Sequence, residues 1–365
     1  MEKYVKDAVK SLLNSDKLKT TITLKNKDDY KKNPVRILYN KMILNAQKLI
    51  VPSHIKNFLL RTTGMKVGHD ACIPHYITID PYFPELVNFG KGIILGGDST
   101  IITHELKGKK LTLGKVIIAD RTLVGGMTTL RPGFKLSKNA MMMFFSSYDR
   151  EIPEGELWAG MPAKLLKVLT AEEIDKYHRP SNGKYKEYYR EFRKRVDEFL
   201  KDPNQTYFKM HYNGKRLNAG NDWWKARNVF TIWYHGILIE LTTMLPHSFF
   251  KTFLLRRAGV KIGKNCRIGK GVVFDHLFGD NITLEDNVVL DDHVYLDGHE
   301  YTITQTVFGK TLVKKGVHIK KNSYVRIGTT IGENTIIEKG GMAQRFIPPN
   351  EVWGGNPIAF IRKRK

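Results

Sequence analysis

The stretch VKKGVHIKKNSYVRIGTTIGENTII, Val313–Ile337, places an aliphatic residue at every sixth position: Val313, Ile319, Val325, Ile331 and Ile337. Six is neither the 3.6-residue period of a helix nor the alternation of an ordinary strand. It fits a coil of short strands, each turning one aliphatic side chain inward before a tight turn, with successive coils stacking into a continuous core. Glycine and asparagine fill the turns, as in Ile262-Gly263-Lys264-Asn265 and Ile331-Gly332-Glu333-Asn334, because they tolerate left-handed backbone angles. A β-sandwich would need turn spacing that varies between strands. The same period runs through Leu284, Leu290 and Leu296, and in the first half through Phe89, Leu95 and Ile101, then Ile118, Val124, Leu130 and Leu136. The first half turns irregular at Met141–Phe145, where long side chains are expected to narrow a groove.

The two halves are copies of each other. Phe58-Leu59-Leu60-Arg61 returns as Phe253-Leu254-Leu255-Arg256, Gly64–Gly68 as Gly259–Gly263, and Trp158-Ala159-Gly160 as Trp353-Gly354-Gly355. Every pair is 195 positions apart, so the duplication holds its register without a gap. At 365 residues, of which 41% are hydrophobic, the chain is long enough for two separate cores.

Period and motifs together resemble the hexapeptide-repeat acyltransferases, nearest to the sugar O-acetyltransferases. Phe253–Val273 (FLLRRAGVKIGKNCRIGKGVV) looks like the opening of such a domain, and Trp158–Lys164 (WAGMPAK) and Trp353–Ala359 (WGGNPIA) resemble the family's closing motif. The resemblance covers roughly residues 58–167 and 253–365. It implies a mostly β chain with two left-handed parallel β-helix domains in tandem, each preceded by helices, with a helical linker. The expected divisions are a helical segment at 1–52, a first β-helix at 53–169, a linker at 170–250 and a second β-helix at 251–365. It also implies a coenzyme A-dependent acyltransferase using acetyl-CoA or another acyl-CoA, a hydroxyl acceptor on a sugar, glycan or polar lipid, no metal, and a homotrimer.

Acyl transfer from a thioester needs a base, a donor for the oxyanion and a groove for the pantetheine arm. Histidine suits the first task because it titrates near neutrality. His104 and His299, again 195 apart, stand at the fourth position of the hexapeptides that begin at Ile101 and Leu296, just before the period breaks. A loop leaving the coil there would overhang the ring and shape a pocket. In the family resembled, a histidine followed by such a loop is the general base, so the role passes to His104 and His299. Glu105 and Glu300 adjoin them as orienting or acceptor-binding groups, although sequence neighbours in a strand face opposite ways. Candidates for holding the cofactor are Gly125 and Gly126, whose backbone a thioester could approach, and Lys320 and Lys321, which replace them in the second copy. Trp158 and Trp353 (adenine stacking or packing on the last coil), with Gly160, Lys164 and Gly355 around the closing motif, complete the set.

Outside the repeats, Thr170–Leu200 has helical spacing and a capping box at Thr170 and Glu173, with Tyr185, Tyr188, Tyr189 and Phe192 as its packing face. Residues 203–220 read as a turn-rich loop. Apolar helices at Val35–Ile50 and Val229–Leu245 precede the two repeats. They are suited to covering the open end of a β-helix or to lying on a membrane surface. The net charge of +24 favours anionic partners, from coenzyme A phosphates to an anionic membrane. No nucleic-acid-binding motif accompanies it. Cys72 and Cys266 lack metal or disulfide spacing. Met1–Lys31 is charged throughout, so no secretory signal is expected, and the default is a cytoplasmic protein, with peripheral membrane contact as an option. Two rival functions remain: a non-catalytic basic β-helix binding platform, and a hydratase like the γ-carbonic anhydrases, for which His69 with His75, or His293 with His299, give pairs but no third ligand.

Overall fold

Each inward aliphatic residue of the six-residue series is buried, from Phe89 to Leu136 in the first copy and from Leu284 to Ile337 in the second. The strands that carry them are two or three residues long and pair in parallel with the coil above and below. The computed structural model describes residues 1–50, 52–74, 76–178, 185–202, 204–212, 225–302 and 305–364. The chain divides into two compact units, Met1–His178 and Arg179–Lys365.

In the first unit three parallel sheets enclose the aliphatic column, which makes it a three-sided β-helix. A regular coil takes eighteen residues, three hexapeptides, as in the pairing of Leu123 with Met141 and Thr129 with Ser147, whereas an early coil takes twenty-two (Thr78 with Thr100) and the last sixteen (Leu136 with Ile152). Where residues exceed eighteen, the surplus leaves the coil. The pairing of Leu123 with Ile94 spans twenty-nine residues, and the additional eleven form an antiparallel hairpin, His104–Lys107 with Lys110–Gly114. Lys19–Thr23 adds to its outer edge as a third strand. The second unit repeats the plan: Ile282 pairs with Thr311 across twenty-nine residues, His299–Tyr301 and Gln305–Gly309 form the hairpin, and Tyr207–His211 supplies the third strand. That strand lies inside a segment read from sequence as loop. It is held by pairing with the hairpin and by Phe208 and Met210 in an aromatic cluster. The flanking 204–206 and 212 are irregular, as expected, and 203 and 213–220 fall outside the described residues.

Two turn residues show why the repeat needs its small and polar members. Asn265 and Asn334 adopt left-handed φ values of 55° and 56°, and a Cβ on Gly332 would lie 2.4 Å from the backbone nitrogen of Pro349 on the next coil. The expected irregularity at Met141–Phe145 does not occur in the coil. Met141–Met142 is an ordinary parallel strand between Leu123–Val124 and Glu156–Gly160, and Met142 fills the next place in the aliphatic column, because an unbranched thioether adapts to a slot shaped for Leu. Met143 is exposed. Each copy ends in an antiparallel hairpin carrying the closing motif, Glu156–Gly160 with Ala163–Val168 and Glu351–Gly354 with Ala359–Lys363.

The helices of the first unit are α1 (Lys3–Leu13), α2 (Pro34–Ala46, continued by a 3-10 turn to Leu49), α3 (His54–Thr62) and α4 (Ala171–His178). Those of the second are α5 (Tyr185–Lys201), α6 (Val229–Met244) and α7 (Phe249–Arg257). The Thr170–Glu173 capping box forms in both directions, at 3.1 and 3.2 Å. Tyr188, Tyr189 and Phe192 pack inward on α5, whereas the Tyr185 side chain lies outside what is described. Leu44 and Leu60, from α2 and α3, join the first aliphatic column, and Ile239 and Leu255, from α6 and α7, join the second. These helix pairs therefore cover the coil ends.

A buried amine ties each pair in place. Lys56 Nζ donates to the carbonyls of Ile50 (3.0 Å) and Pro74 (2.6 Å), and its counterpart Lys251 Nζ to those of Leu245 (3.2 Å) and Gly269 (2.5 Å). Burial pulls both amines down from 10.5 to about 8. The folded chain thus sheds these protons where the unfolded chain still holds them, and stability gains between pH 8 and pH 10.5. Urea midpoints measured across that window should rise for wild type relative to a Lys56→Met, Lys251→Met chain. In the column itself, Ile319→Ala should cost about 2–5 kcal/mol in the same assay, as a cavity that the stacked coils cannot close.

Candidate active site

The eleven-residue hairpin begins at the histidine in both copies, so the ring sits where the chain turns out of the coil. In the first unit Asp80, at the end of strand Thr78–Ile79, hydrogen-bonds through its backbone N–H to Ile101 O at 3.0 Å. Its carboxylate is nearly buried. It accepts from Thr103 Oγ1 (2.7 Å) and the Tyr82 N–H (2.9 Å), and it contacts His104 Nδ1. In the second unit the wholly buried Asp275 accepts from the N–H groups of Gly298 (2.8 Å), His299 (2.9 Å), Leu277 and Phe278 (both 2.9 Å), and from His299 Nδ1 at 2.5 Å. Asp80 and Asp275 are again 195 positions apart.

Burial alone would push both carboxyl groups up in pKa. The hydrogen bond and charge of the adjoining imidazole, with the N–H and O–H donors around it, outweigh burial and hold each below the ordinary 3.8. An ionised carboxylate only accepts, so Nδ1 carries a proton in either state of the ring, and in the neutral imidazole Nε2 is left with its lone pair. Nε2 of His104 and of His299 receives no hydrogen bond from a described residue. Aromatic rings wall each imidazole. Tyr30, Tyr82 and Phe83 lie with centroids 5.3 Å from His104, and Phe278 and Tyr301 at 5.2 and 4.9 Å from His299.

Glu105 and Glu300 do not orient the rings. Alternation along the strand turns them away. Glu105 forms a two-pronged pair with Arg131 at 2.8 and 2.9 Å, and Glu300 pairs with Arg326 at 2.8 Å. The orienting residues are Asp80 and Asp275, which sequence reasoning did not single out. Glu105 and Arg131 instead border a cleft of about 340 Å³ beside Lys19, Thr21 and Thr112.

The cofactor candidates separate into two groups. Trp158 and Lys164 line one open cleft of about 430 Å³ with Tyr148, Asp149 and Arg150. The Trp158 indole N–H donates to Glu156 at 2.7 Å and its ring lies 5.1 Å from Tyr148, while Trp353 repeats the bond with Glu351 at 2.7 Å and meets Phe360. Gly160 and Gly355 hold the left-handed turns of the closing hairpins. The Gly125 N–H, however, is spent on Met142 O (2.7 Å), and a Cβ there would lie 2.1 Å from Phe144 N, so this glycine serves coil stacking. Gly126 likewise sits against Gly97 O, 2.9 Å from its would-be Cβ. Lys320 is paired with Glu338 at 2.8 Å, and Lys321 is exposed.

Among the described residues, no group of three or more His, Cys, Asp and Glu side chains converges as a metal site. His69 stacks on His54 at 4.2 Å, His293 occupies a left-handed turn, and His75 lies outside the described residues.

No family model matches the chain. It is 28% identical over 141 residues to the Bacillus subtilis (strain 168) protein named "Putative acetyltransferase YvoF", over 38% of this chain and 81% of that one. Among solved structures it is similar to the hexapeptide-repeat-containing acetyltransferase VCA0836 of Vibrio cholerae O1 biovar eltor complexed with acetyl coenzyme A. There the identity is 18%, covering 38% of this chain and 89% of that one, with a TM-score of 0.32. For a maltose O-acetyltransferase of Clostridium difficile 630 the identity is 23%, the coverage 42% and 94%, and the TM-score 0.33. Each match spans about the length of one copy. The fold is a three-sided parallel β-helix, present twice.

Because both aspartates ionise below 3.8 when folded, the stabilisation from each His–Asp pair is complete above that pH and is lost as pH falls further. Urea unfolding of an Asp80→Asn, Asp275→Asn chain between pH 2 and pH 7 should therefore show a shallower acid limb than the wild type, with the remainder coming from other carboxylates held low, such as Asp149 and Glu151.

Proposed function

We infer that this chain, a tandem hexapeptide-repeat acetyltransferase, moves an acetyl group from coenzyme A to a hydroxyl of a sugar, glycan or polar lipid, with one site in each copy. The observation that carries this reading is the His–Asp pair, formed in both copies at the mouth of the extruded hairpin. Nε2 of His104 or His299 takes the acceptor's hydroxyl proton as its oxygen attacks the thioester carbonyl. The C–O bond forms, the carbonyl π electrons pass to oxygen, and the buried carboxylate steadies the imidazolium. Collapse of the tetrahedral intermediate restores the carbonyl, breaks the C–S bond and releases coenzyme A, whose sulfur recovers the proton from the imidazolium.

The surrounding groups suit this division of labour. Tyr30 and Tyr82 offer flat apolar faces of the kind that pack against sugar rings, and the Glu105–Arg131 pair borders a polar cleft where hydroxyl groups would find partners. Lys164 and Arg150 bring positive charge to the cleft that Trp158 lines, suited to the phosphates of coenzyme A. In the second copy, Lys321 is the basic residue left exposed for the same purpose. Three chains closing around a cyclic axis would set neighbouring copies side by side, with the acyl donor in the grooves between them. The platform reading predicts no need for a base, yet both copies keep histidine, aspartate and the phenylalanine beside them.

Thiol release from acetyl-CoA over a panel of hydroxyl acceptors tests the assignment. His104→Ala and His299→Ala should each remove their own copy's share of turnover, and the double variant should lose about 10²–10⁴-fold. Asp80→Asn with Asp275→Asn should lower kcat while leaving KM for acetyl-CoA near wild type, because the amide can donate to Nδ1 and favour the wrong tautomer. A double histidine variant as fast as wild type would refute the mechanism.

A further inference from the structure

The helices that precede each β-helix turn one face to the aliphatic column and leave the other bare. On α2, Ile37, Asn40 and Leu44 are buried, whereas Val35, Leu38 and Met42, at the same helical spacing, are exposed by 74, 69 and 58%. Ile55 and Phe58 continue this bare surface on α3. The positions 195 residues on are Phe230, Trp233, Ile237, Phe250 and Phe253, and all five are exposed as well. Leu241 and Met244 extend the stripe along α6. Four of the five residues differ between the copies, yet every one is large and apolar. Such a pattern keeps hydrophobicity and discards shape, which suits a fluid apolar phase better than a fitted protein surface.

The charge around these faces has one sign. Residues 30–69 contain eight Lys and Arg and no Asp or Glu, and residues 225–270 contain nine against the single Glu240. Lys56 and Lys251 are the buried ties already described, but Arg36, Lys41 and Arg61 are exposed in the first copy, and Arg256, Arg257 and Lys261 in the second. None of these six pairs with a described carboxylate. Apposing two such faces in a dimer would bring cations against cations, whereas an anionic bilayer meets both the apolar stripe and its charge. No helix among the described residues is long and apolar enough to cross a membrane, so the contact lies within the headgroup layer.

We propose that each copy docks on an anionic lipid bilayer through the bare apolar face of its leading helices, α2–α3 and α6–α7. The full chain should co-sediment with vesicles of phosphatidylcholine and phosphatidylglycerol, far less with phosphatidylcholine alone, and less as salt rises. A Leu38→Ser, Met42→Ser, Trp233→Ser, Ile237→Ser chain should bind the anionic vesicles at least about tenfold more weakly with unchanged melting temperature, since all four side chains face solvent. A charge set, Arg36→Gln, Lys41→Gln, Arg256→Gln and Arg257→Gln, should weaken binding and flatten its salt dependence even if the serine chain folds poorly. Thiol release with water-soluble acceptors should be the same for all three chains, which keeps this proposal separate from the acetyl-transfer reading. Absence of binding to the anionic vesicles at low salt, or equal binding by wild type and both variants, would overturn it. So would a serine chain that changes only its oligomeric state, because the faces would then join copies of the chain.

Discussion

Closure of each coil around the buried apolar column is the constraint on which the molecule rests. Inward apolar residues from each side of the coil fill one buried column, and parallel pairing locks each short strand to the coils above and below, eighteen positions away where the coil is regular. A segment longer than eighteen cannot be absorbed by bending, since a one-residue slip would turn the aliphatic residue outward. Surplus residues must leave at a corner. The hairpins at His104 and His299 are that surplus, and the imidazole stands at the corner because it is the first residue of the hairpin, three positions past the last inward residue. Site geometry is thus a by-product of column closure.

Much of the architecture was legible for the same reason. Period six is visible in the chain as written, and the 195-residue offset exposes the duplication, the closing hairpins and both histidines. What failed to show was anything settled by contact between coils. Asp80 lies 24 residues before His104, at the same corner of the preceding coil, so neither the six-residue period nor adjacency in sequence links them. The usable signal was the common offset, since Asp80 and Phe83 recur as Asp275 and Phe278. Adjacency misled at Glu105 and Glu300, where strand alternation sends neighbours apart, and the partners Arg131 and Arg326 sit 26 residues on. The same blindness applies to Gly125, whose small size looks like an invitation to a ligand but is demanded by the backbone of the next coil. At Met141–Phe145 a change of residue type was mistaken for a change of period.

The two copies have not aged alike. Each keeps the aspartate, the histidine and the Glu–Arg pair on the rim, but the surroundings of the ring differ. His104 is framed by Tyr30 and Tyr82, polar at their tips. His299 is framed by Phe278 and Tyr301, which belong to an aromatic cluster with α5. The same His–Asp pair thus stands under a different aromatic roof in each copy.

A hairpin pushed out of a solenoid exposes a row of open amides along its outer strand, the sort of border on which foreign strands accrete. Lys19–Thr23 and Tyr207–His211 occupy that border in their respective units. Each histidine's loop is thereby insulated from amyloid-like recruitment by a stretch of chain lying far upstream. Its order is borrowed, and the loan is called in whenever that upstream stretch comes away.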